Sequence, residues 1–366
     1  MEKRITISVT VPVHNTARYL PACLDSLLAQ TYPHIEIICV DDGSTDDSLQ
    51  VLHDYAAKDS RIKVFHQESQ GVSAARNTAL LHSTGDFVTG LDSDDYLAPY
   101  TYEKAVACIT EEVDLVSYGI QLVDEEGNSI PDSDGYYASR YEGTMELTPE
   151  MTDNINVCIW AKLWRRSVMT EHHIRYPHGL VHEDDAIFYM FTPFVRKAAF
   201  IPDTCYYYVQ RRGSIMHSDR KTIEDADQYL GILRFVFDFH KKSGLDPLHN
   251  DYIRRHFARS YYLVERFCPA HLRRTLAARF LQYAVETGLA AILHKKWYMK
   301  QMQLPARFLS PFLRKRSRST QYRLGPIPLF SLHFSMGNES PMLRFDLWHA
   351  VLNVLRRSNT PKTQIS

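Results

Sequence analysis

"GDFVTGLDSDDYLAP", residues 85–99, runs from an apolar stretch straight into three aspartates, Asp92, Asp94 and Asp95. Like charges this close repel, so the chain needs a reason to gather them. Three reasons compete: a solvated turn, a cap for a helix beginning near Pro99, or a cage for a divalent cation. Residues 86–91 read as a strand that ends at the acids. The elements around that strand decide the fold.

Working back from it, residues 71–83 have helical spacing and residues 62–66 (IKVFH) read as a strand. Residues 45–59 read as a helix capped by Ser44 or Thr45, and residues 35–40 (IEIICV) as a strand. Leu20, Leu24, Leu27 and Leu28 mark a helix over 18–30, and residues 5–13 (ITISVTVPV) form the first strand. This strand–helix alternation predicts an α/β domain with a parallel, doubly wound sheet. Such sheets bind ligands in the crevice beyond the carboxyl ends of their strands. VPVHN, VDDGSTDD and LDSDD all fall on that edge.

Further along, residues 102–112 read as a helix and 113–123 as a strand. Residues 124–154 are acidic and turn-rich, as in an insertion or lid. Residues 157–166 and 205–217 read as strands or extended segments, and 183–195 as a helix with an acidic start. From 219 onward only helices are expected, so the organisation is a domain over 1–218 and a mainly α-helical region over 219–366. Charge divides at the same place. Residues 1–218 hold 17 Lys and Arg against 32 Asp and Glu, and residues 219–366 hold 25 against 11.

The chain is 45% hydrophobic and 23% charged, which suits a folded globular protein. No apolar run is long enough to span a bilayer, and the N-terminus does not read as a signal peptide. Six scattered cysteines without a C-x-x-C pair point to free thiols in a reducing cytoplasm. The first strand is followed by neither G-x-G-x-x-G nor G-x-x-x-x-G-K-[ST], so the usual phosphate cradles are missing. Carboxylates repel phosphate directly but hold it through Mg²⁺ or Mn²⁺. In D-S-D, the alternate residues Asp92 and Asp94 can present oxygens on one side of an extended segment.

The ordered set VTVPVHN, VDDGSTDDS, QGVSAARNTAL and GDFVTGLDSDDYLAP resembles family 2 glycosyltransferases, inverting enzymes of the GT-A fold. IWAKLWRRS, GLVHEDDAIFYM and YYYVQRRGSIMH are similar to later blocks of the bacterial members that build surface polysaccharides. The resemblance covers about residues 5–218. It implies a Rossmann-like mixed sheet and a nucleotide-diphosphate sugar donor, with UDP the expected nucleotide. Asp42 would accept the uracil N3–H, Asp41 would support the turn, and Gly43 would permit its tight backbone. Pro12 and Asn15 would form the wall beside the base, and Gly71, Arg76 and Asn77 would open a helix facing the ribose or phosphate. Asp92, Ser93 and Asp94 would form the D-x-D, with Asp94 the main ligand of Mn²⁺ or Mg²⁺ and Asp92 nearer the ribose. The resemblance puts the general base at Asp184, after Glu183, with Asp185 as runner-up. Arg211 and Arg212 would close over the pyrophosphate, and His217 would add a metal ligand.

Plainer readings stand beside these. The Asp41–Ser44 stretch can be a simple type I turn, Arg76 a salt-bridged structural residue, and the acids at 183–185 a favourable helix start. Trp160, Lys162 and Trp164 share one face of a strand and either border the sugar or pack in the core. Residues 294–319 mix aromatics with Lys and Arg, which suits an anionic membrane surface or a packed bundle. The expected acceptor is a glycan or lipid-linked glycan, and the expected location is cytoplasmic, peripheral on the inner face of the plasma membrane. No nucleic-acid partner is expected. The rivals are a nucleotidyltransferase, which would want a basic or glycine-rich loop near the first strand, and a non-catalytic nucleotide-sugar-binding scaffold.

Overall fold

A computed structural model describes residues 4–132, 137, 140–211, 223–267, 273–289, 320–324 and 327–332. The first elements alternate: β1 (Ile7–Val13), α1 (Leu20–Leu28), β2 (Ile35–Asp42), α2 (Ser48–Ala56), β3 (Ile62–Gln67), α3 (Val72–His82) and β4 (Phe87–Gly90). Every residue of β2 is buried, as is all of β1 except Pro12. Strands covered on both faces read as unbroken apolar runs, which is why the sequence shows them plainly. In α1, Leu20, Cys23, Leu24 and Leu27 form the buried stripe, and Pro21 sits in the first turn, where its missing N–H costs nothing.

The later elements are β5 (Tyr96–Leu97), α4 (Thr101–Ala107), β6 (Val113–Val123), β7 (Ser129–Ile130), β8 (Gly143–Glu146) and β9 (Lys162–Arg165). They continue with α5 (Arg166–Glu171), α6 (Glu183–Phe191), β10 (Lys197–Val209), α7 (Ile223–Lys242), α8 (Asp251–Phe267) and α9 (Arg273–Glu286). The sheet runs β3-β2-β1-β4-β9-β6-β10-β5, with β7 beside β6 and β8 beside β10. β1 to β4 pair in parallel, while β9 runs antiparallel to both β4 and β6. The result is the mixed, doubly wound sheet expected. The 124–154 segment is partly sheet edge rather than pure insertion, since it supplies β7, β8 and a 3-10 turn (Pro149–Asn154).

Contacts divide the chain into Met1–Leu276 and Ala277–Ser366. The first unit holds the sheet together with α7 and α8. The second holds an antiparallel hairpin, β11 (Thr320–Leu324) and β12 (Ile327–Leu332). That hairpin corrects the expectation of helices alone beyond 219. Its strands, TQYRL and IPLFSL, carry β-branched and aromatic residues either side of Gly325-Pro326 in the sequence, a turn signal.

Opposite the acidic edge, Glu36 fastens three strands and a turn. Its Oε1 accepts the Ser8 hydroxyl at 2.6 Å, the Thr84 N–H at 2.6 Å and the Gly85 N–H at 3.1 Å. Its Oε2 meets Lys63 Nζ at 2.7 Å. Burial alone would raise this carboxyl's pKa, but Lys63, Ser8 and Thr84 hold it down to about 2. Glu36→Ala strands these donors and is expected to destabilise the fold by about 3 kcal/mol in urea unfolding. In the unfolded chain the carboxyl titrates at about 4.3, so its contribution is complete above ~pH 5 and is lost as pH falls toward the folded value. Glu36→Gln is expected to flatten that acid slope.

Candidate active site

The carboxyl ends of β1, β2 and β4 share one edge because β1 pairs in parallel with both neighbours. Val13 lies opposite Asp41, and Thr10 opposite Gly90. Asn15 leaves β1 in the left-handed region, at φ 53. Its Oδ1 accepts the Thr45 N–H at 2.7 Å and the Asp46 N–H at 3.3 Å, so it closes the turn after β2. Pro12, half-buried, is at the same end of β1. Asp41 is fully buried; one oxygen meets His66 Nδ1 at 2.8 Å and the other makes no hydrogen bond.

Asp42 accepts from four donors. Gln67 Nε2 (2.7 Å) and the Gln70 N–H (2.9 Å) reach one oxygen, and the Gly71 N–H (2.8 Å) and Ser69 hydroxyl (3.4 Å) reach the other. Burial works to raise its pKa, yet the Gln70, Gln67 and Gly71 donors hold it below the usual carboxylate range. Gly43 must be glycine: its φ is 68, and a Cβ there would lie 2.8 Å from the Ser69 nitrogen.

The three aspartates of the β4 loop have three different partners. Asp95 is 1% exposed and accepts the Tyr206 hydroxyl at 2.6 Å and the Val209 N–H at 2.8 Å. It anchors the loop to the end of β10. Asp92 pairs with Arg76 Nη2 at 2.7 Å, and Asp94 with Arg211 Nε at 2.6 Å. Burial, then Asp92, raises the Asp94 pKa against the pull of Arg211. Ser93 Oγ accepts the Thr16 hydroxyl at 2.9 Å, which fixes the loop to the start of α1. Among the described residues no three His, Cys, Asp or Glu converge into a ready-made metal cage.

The first turn of α6 carries Glu183, Asp184 and Asp185. Glu183 meets Arg76 Nε at 3.5 Å, so Arg76, 3% exposed, bridges the β4 loop and α6. Asp185, buried, faces Arg259 Nε of α8 at 3.4 Å. Asp184 is half-buried and has no ion pair or side-chain hydrogen bond among the described residues. Burial, with Glu183, Asp92 and Asp185, pushes its pKa well above the carboxylate range against Arg76. His182, before the helix, is left-handed at φ 71 and stacks on Tyr229, centroids 4.3 Å apart.

Several singled-out residues serve the frame. Asn77 exchanges two 2.9 Å hydrogen bonds with the Tyr176 backbone, fastening α3 to the segment before α6. Lys162 is wholly buried, its ammonium on Asn156 Oδ1 (2.6 Å) and the Cys158 carbonyl (2.7 Å), and burial pushes its pKa down to about 8. Trp164 donates to the Ile159 carbonyl inside the core. Neither borders an open site, which resolves that alternative toward packing. Trp160 packs on Tyr206, centroids 4.4 Å apart. Arg212 and His217 lie outside the described residues. Sequence reasoning missed Tyr206 and Arg259. The period-2 run CYYYV could have flagged Tyr206, whereas Arg259 sits in a helix with no local mark.

The sheet order and the carboxylates at its strand ends agree with the GT-A fold that the sequence motifs imply. Residues 8–171 match the family model described as Glycosyl transferase family 2. Glycosyltransferase GlyG of Streptococcus pneumoniae serotype 4 is 33% identical over 230 residues, 58% of this chain and 73% of that one. The chain belongs to glycosyltransferase family 2. TarS of Staphylococcus aureus (strain Mu50 / ATCC 700699), a poly(ribitol-phosphate) beta-N-acetylglucosaminyltransferase, is 28% identical over 268 residues, 71% of this chain and 44% of that one. The chain likewise spans only 65% of a Bacillus subtilis (strain 168) relative that is 33% identical over 226 residues. The solved structure of S. aureus TarS 1–349 in complex with UDP-GlcNAc aligns with a TM-score of 0.63 at 21% identity, covering 90% of this chain and 100% of that one. At that identity the likeness establishes the fold.

Asp42→Ala removes the acceptor for the Gln70 and Gly71 amides. Hydrogen exchange at both is expected to quicken about tenfold or more, with β1 amides unchanged. Unchanged protection at 70 and 71 would mean the carboxylate does not hold that loop.

Proposed function

We propose that this chain is a metal-assisted, inverting glycosyltransferase. It moves a sugar from a nucleotide diphosphate, UDP being the expected nucleotide, to a hydroxyl of a glycan or lipid-linked glycan in surface-polysaccharide synthesis. One observation carries the reading: of the acids in the cleft, Asp92 and Asp94 are matched with cations, while Asp184 forms no ion pair among the described residues and is tied to their loop through Arg76 and Glu183. Family membership supports sugar transfer. The activity named for TarS, and the UDP-GlcNAc bound to it, make UDP-GlcNAc the first donor to try.

Asp42 takes the uracil N3–H, which displaces the weakest of its four donors, Ser69 at 3.4 Å. Asp41 supports that turn, and Pro12 and Asn15 shape the wall beside the base. Gly71, Arg76, Asp92 and Ser93 frame the ribose and phosphates, with Asn77 fixing α3 behind them through Tyr176. The residues suit Mg²⁺ or Mn²⁺: a guanidinium already settles at Asp94, and such ions need only one or two carboxylates beside phosphate and water. Asp94 and Asp92 would hold the ion, with His217 a further ligand. Bound there, it offsets the charge of the leaving diphosphate. Arg211 and Arg212 add positive charge over the same group. Asp184 takes the proton of the attacking hydroxyl; burial and the neighbouring acids raise its pKa, which makes it a stronger base than a free carboxylate.

Residues 1–218 carry this chemistry, and 219–366 serve acceptor or membrane association. No helix among the described residues is long and apolar enough to cross a membrane. The basic, aromatic stretch 294–319, which lies outside the described residues, favours peripheral attachment to an anionic cytoplasmic surface.

The test is UDP release from a panel of UDP-sugars, with and without Mn²⁺. Release is expected to need metal and to fall about a hundredfold or more in Asp94→Ala and in Asp184→Asn. Release that survives Asp184→Asn moves the base elsewhere. Absence of both release and metal-dependent UDP binding in calorimetry would leave a scaffold as the better reading.

A further inference from the structure

α6 begins with three acids in succession, and successive helical residues point about 100° apart. Their side chains therefore face three directions. Glu183 turns to Arg76 and Asp185 turns to Arg259, which leaves Asp184 aimed between them. Fixing the two flanks fixes the middle. One flank comes from α3, inside the nucleotide half of the fold. The other comes from α8, in the helical region that sequence reasoning left without a role in the chemistry.

The grip of that region on α6 extends to the far end of the helix. The Tyr189 carbonyl would ordinarily accept the N–H four residues on, but that residue is Pro193, which has none. His240 of α7 fills the gap, its Nε2 at 2.8 Å from the Tyr189 oxygen. Asn250 lies at 3.2 Å from the other ring nitrogen. Burial pushes the His240 pKa down to about 4, so the ring is neutral and its Nε2–H donates. His256 of α8 stacks on the Tyr189 ring, centroids 4.2 Å apart. Arg255, one turn before Arg259, pairs with Asp153 and Glu150 of the 3-10 turn, which anchors α8 independently of α6.

We infer that Arg259 is a positioning residue for the transfer: by holding Asp185 it sets the first turn of α6 and the aim of Asp184. The inference rests on the reading of Asp184 as the base. It assigns Asp185 to the frame rather than to proton transfer. The Arg259–Asp185 contact is a buried ion pair at 3.4 Å with no directed hydrogen bond at Arg259 Nε or Asp185 Oδ1. Its hold is therefore chiefly Coulombic. Removing the cation leaves a buried carboxylate uncompensated, and the turn must shift toward water or take up a proton.

The experiment uses the full chain with Arg259→Met, Arg259→Lys, Asp185→Asn/Arg259→Met and Asp184→Asn. Turnover of UDP-GlcNAc with Mn²⁺, or of whichever UDP-sugar the wild type hydrolyses, is set beside UDP affinity from calorimetry. Arg259→Met is expected to lower kcat about tenfold to a hundredfold, the scale of a small misplacement of a reacting group. UDP affinity should stay within about twofold, since the uracil and phosphate contacts lie elsewhere. Arg259→Lys keeps the charge and should recover part of kcat. The double variant, with no stranded charge, should exceed Arg259→Met. If Arg259→Met does not fold, Arg259→Lys and the double variant carry the same test. Wild-type kcat in Arg259→Met, a parallel loss of UDP affinity, or a double variant no better than the single overturns the inference. Full turnover in Asp184→Asn, or a wild type that neither turns over any UDP-sugar nor binds UDP with metal, removes the underlying reading and the inference with it.

Discussion

A single buried guanidinium joins the two halves of the candidate site. Arg76 leaves α3 almost without solvent contact and stands between Asp92 and Glu183. Burial works against its charge, but the two carboxylates, with Asp92 the stronger, raise its pKa and keep it charged. Room for it is made by Gly90, where a Cβ would lie 3.2 Å from Nη1. Nη2 donates a directed hydrogen bond to Asp92, whereas Nε and Nη1 make none, so the attraction to Glu183 is chiefly Coulombic. Buried pairs of this kind gain little net stability, yet losing one partner is costly. The loop after β4 and the first turn of α6 are thus coupled. Neither can shift without stranding charge.

The same logic orders the remaining acids. Asp92, Asp94, Asp95, Glu183, Asp184 and Asp185 would repel one another as a bare cluster. Arg76, Arg211 and Arg259 separate them, and Tyr206 with the Val209 N–H takes up Asp95. What is left is Asp184, with a raised pKa and no partner of its own among the described residues. A carboxylate in that position is chemically available, where its neighbours are committed to holding the cleft together.

The frame of this arrangement was legible in the sequence. β1, β2 and β4 are short apolar runs between turn signals, and parallel strands buried on both faces announce themselves that way, while β3, at the sheet edge, shows by its β-branched and aromatic residues. The acids also showed themselves by place, at strand ends and at a helix start. Their separate duties did not show. Asp92, Asp94 and Asp95 look alike in the chain, and Asp95 is distinguished by Tyr206 and the Val209 N–H, 111 and 114 residues further on. Asn77 looked like part of a ligand-facing helix end, but its amide is matched to the Tyr176 backbone 99 residues away. β9, reversed and inserted between β4 and β6, likewise depends on distant pairing. Local pattern places a residue on an element, and only long-range pairing assigns it a partner.

That distinction bears on the division of charge along the chain. An acidic stretch to 218 and a basic stretch beyond it look like two surfaces with two jobs. Within the compact unit Met1–Leu276, part of the opposition is internal instead. Arg255 meets Asp153 and Glu150, and Arg259 meets Asp185, so basic residues of α8 complete acids of the first stretch. Arg255 is 6% exposed and therefore unavailable to an outside anion. Any anionic partner must be met by basic residues outside these pairs. α8, though basic in sequence, belongs with the candidate site, and together with α7 it supplies the second wall of the mould that shapes α6.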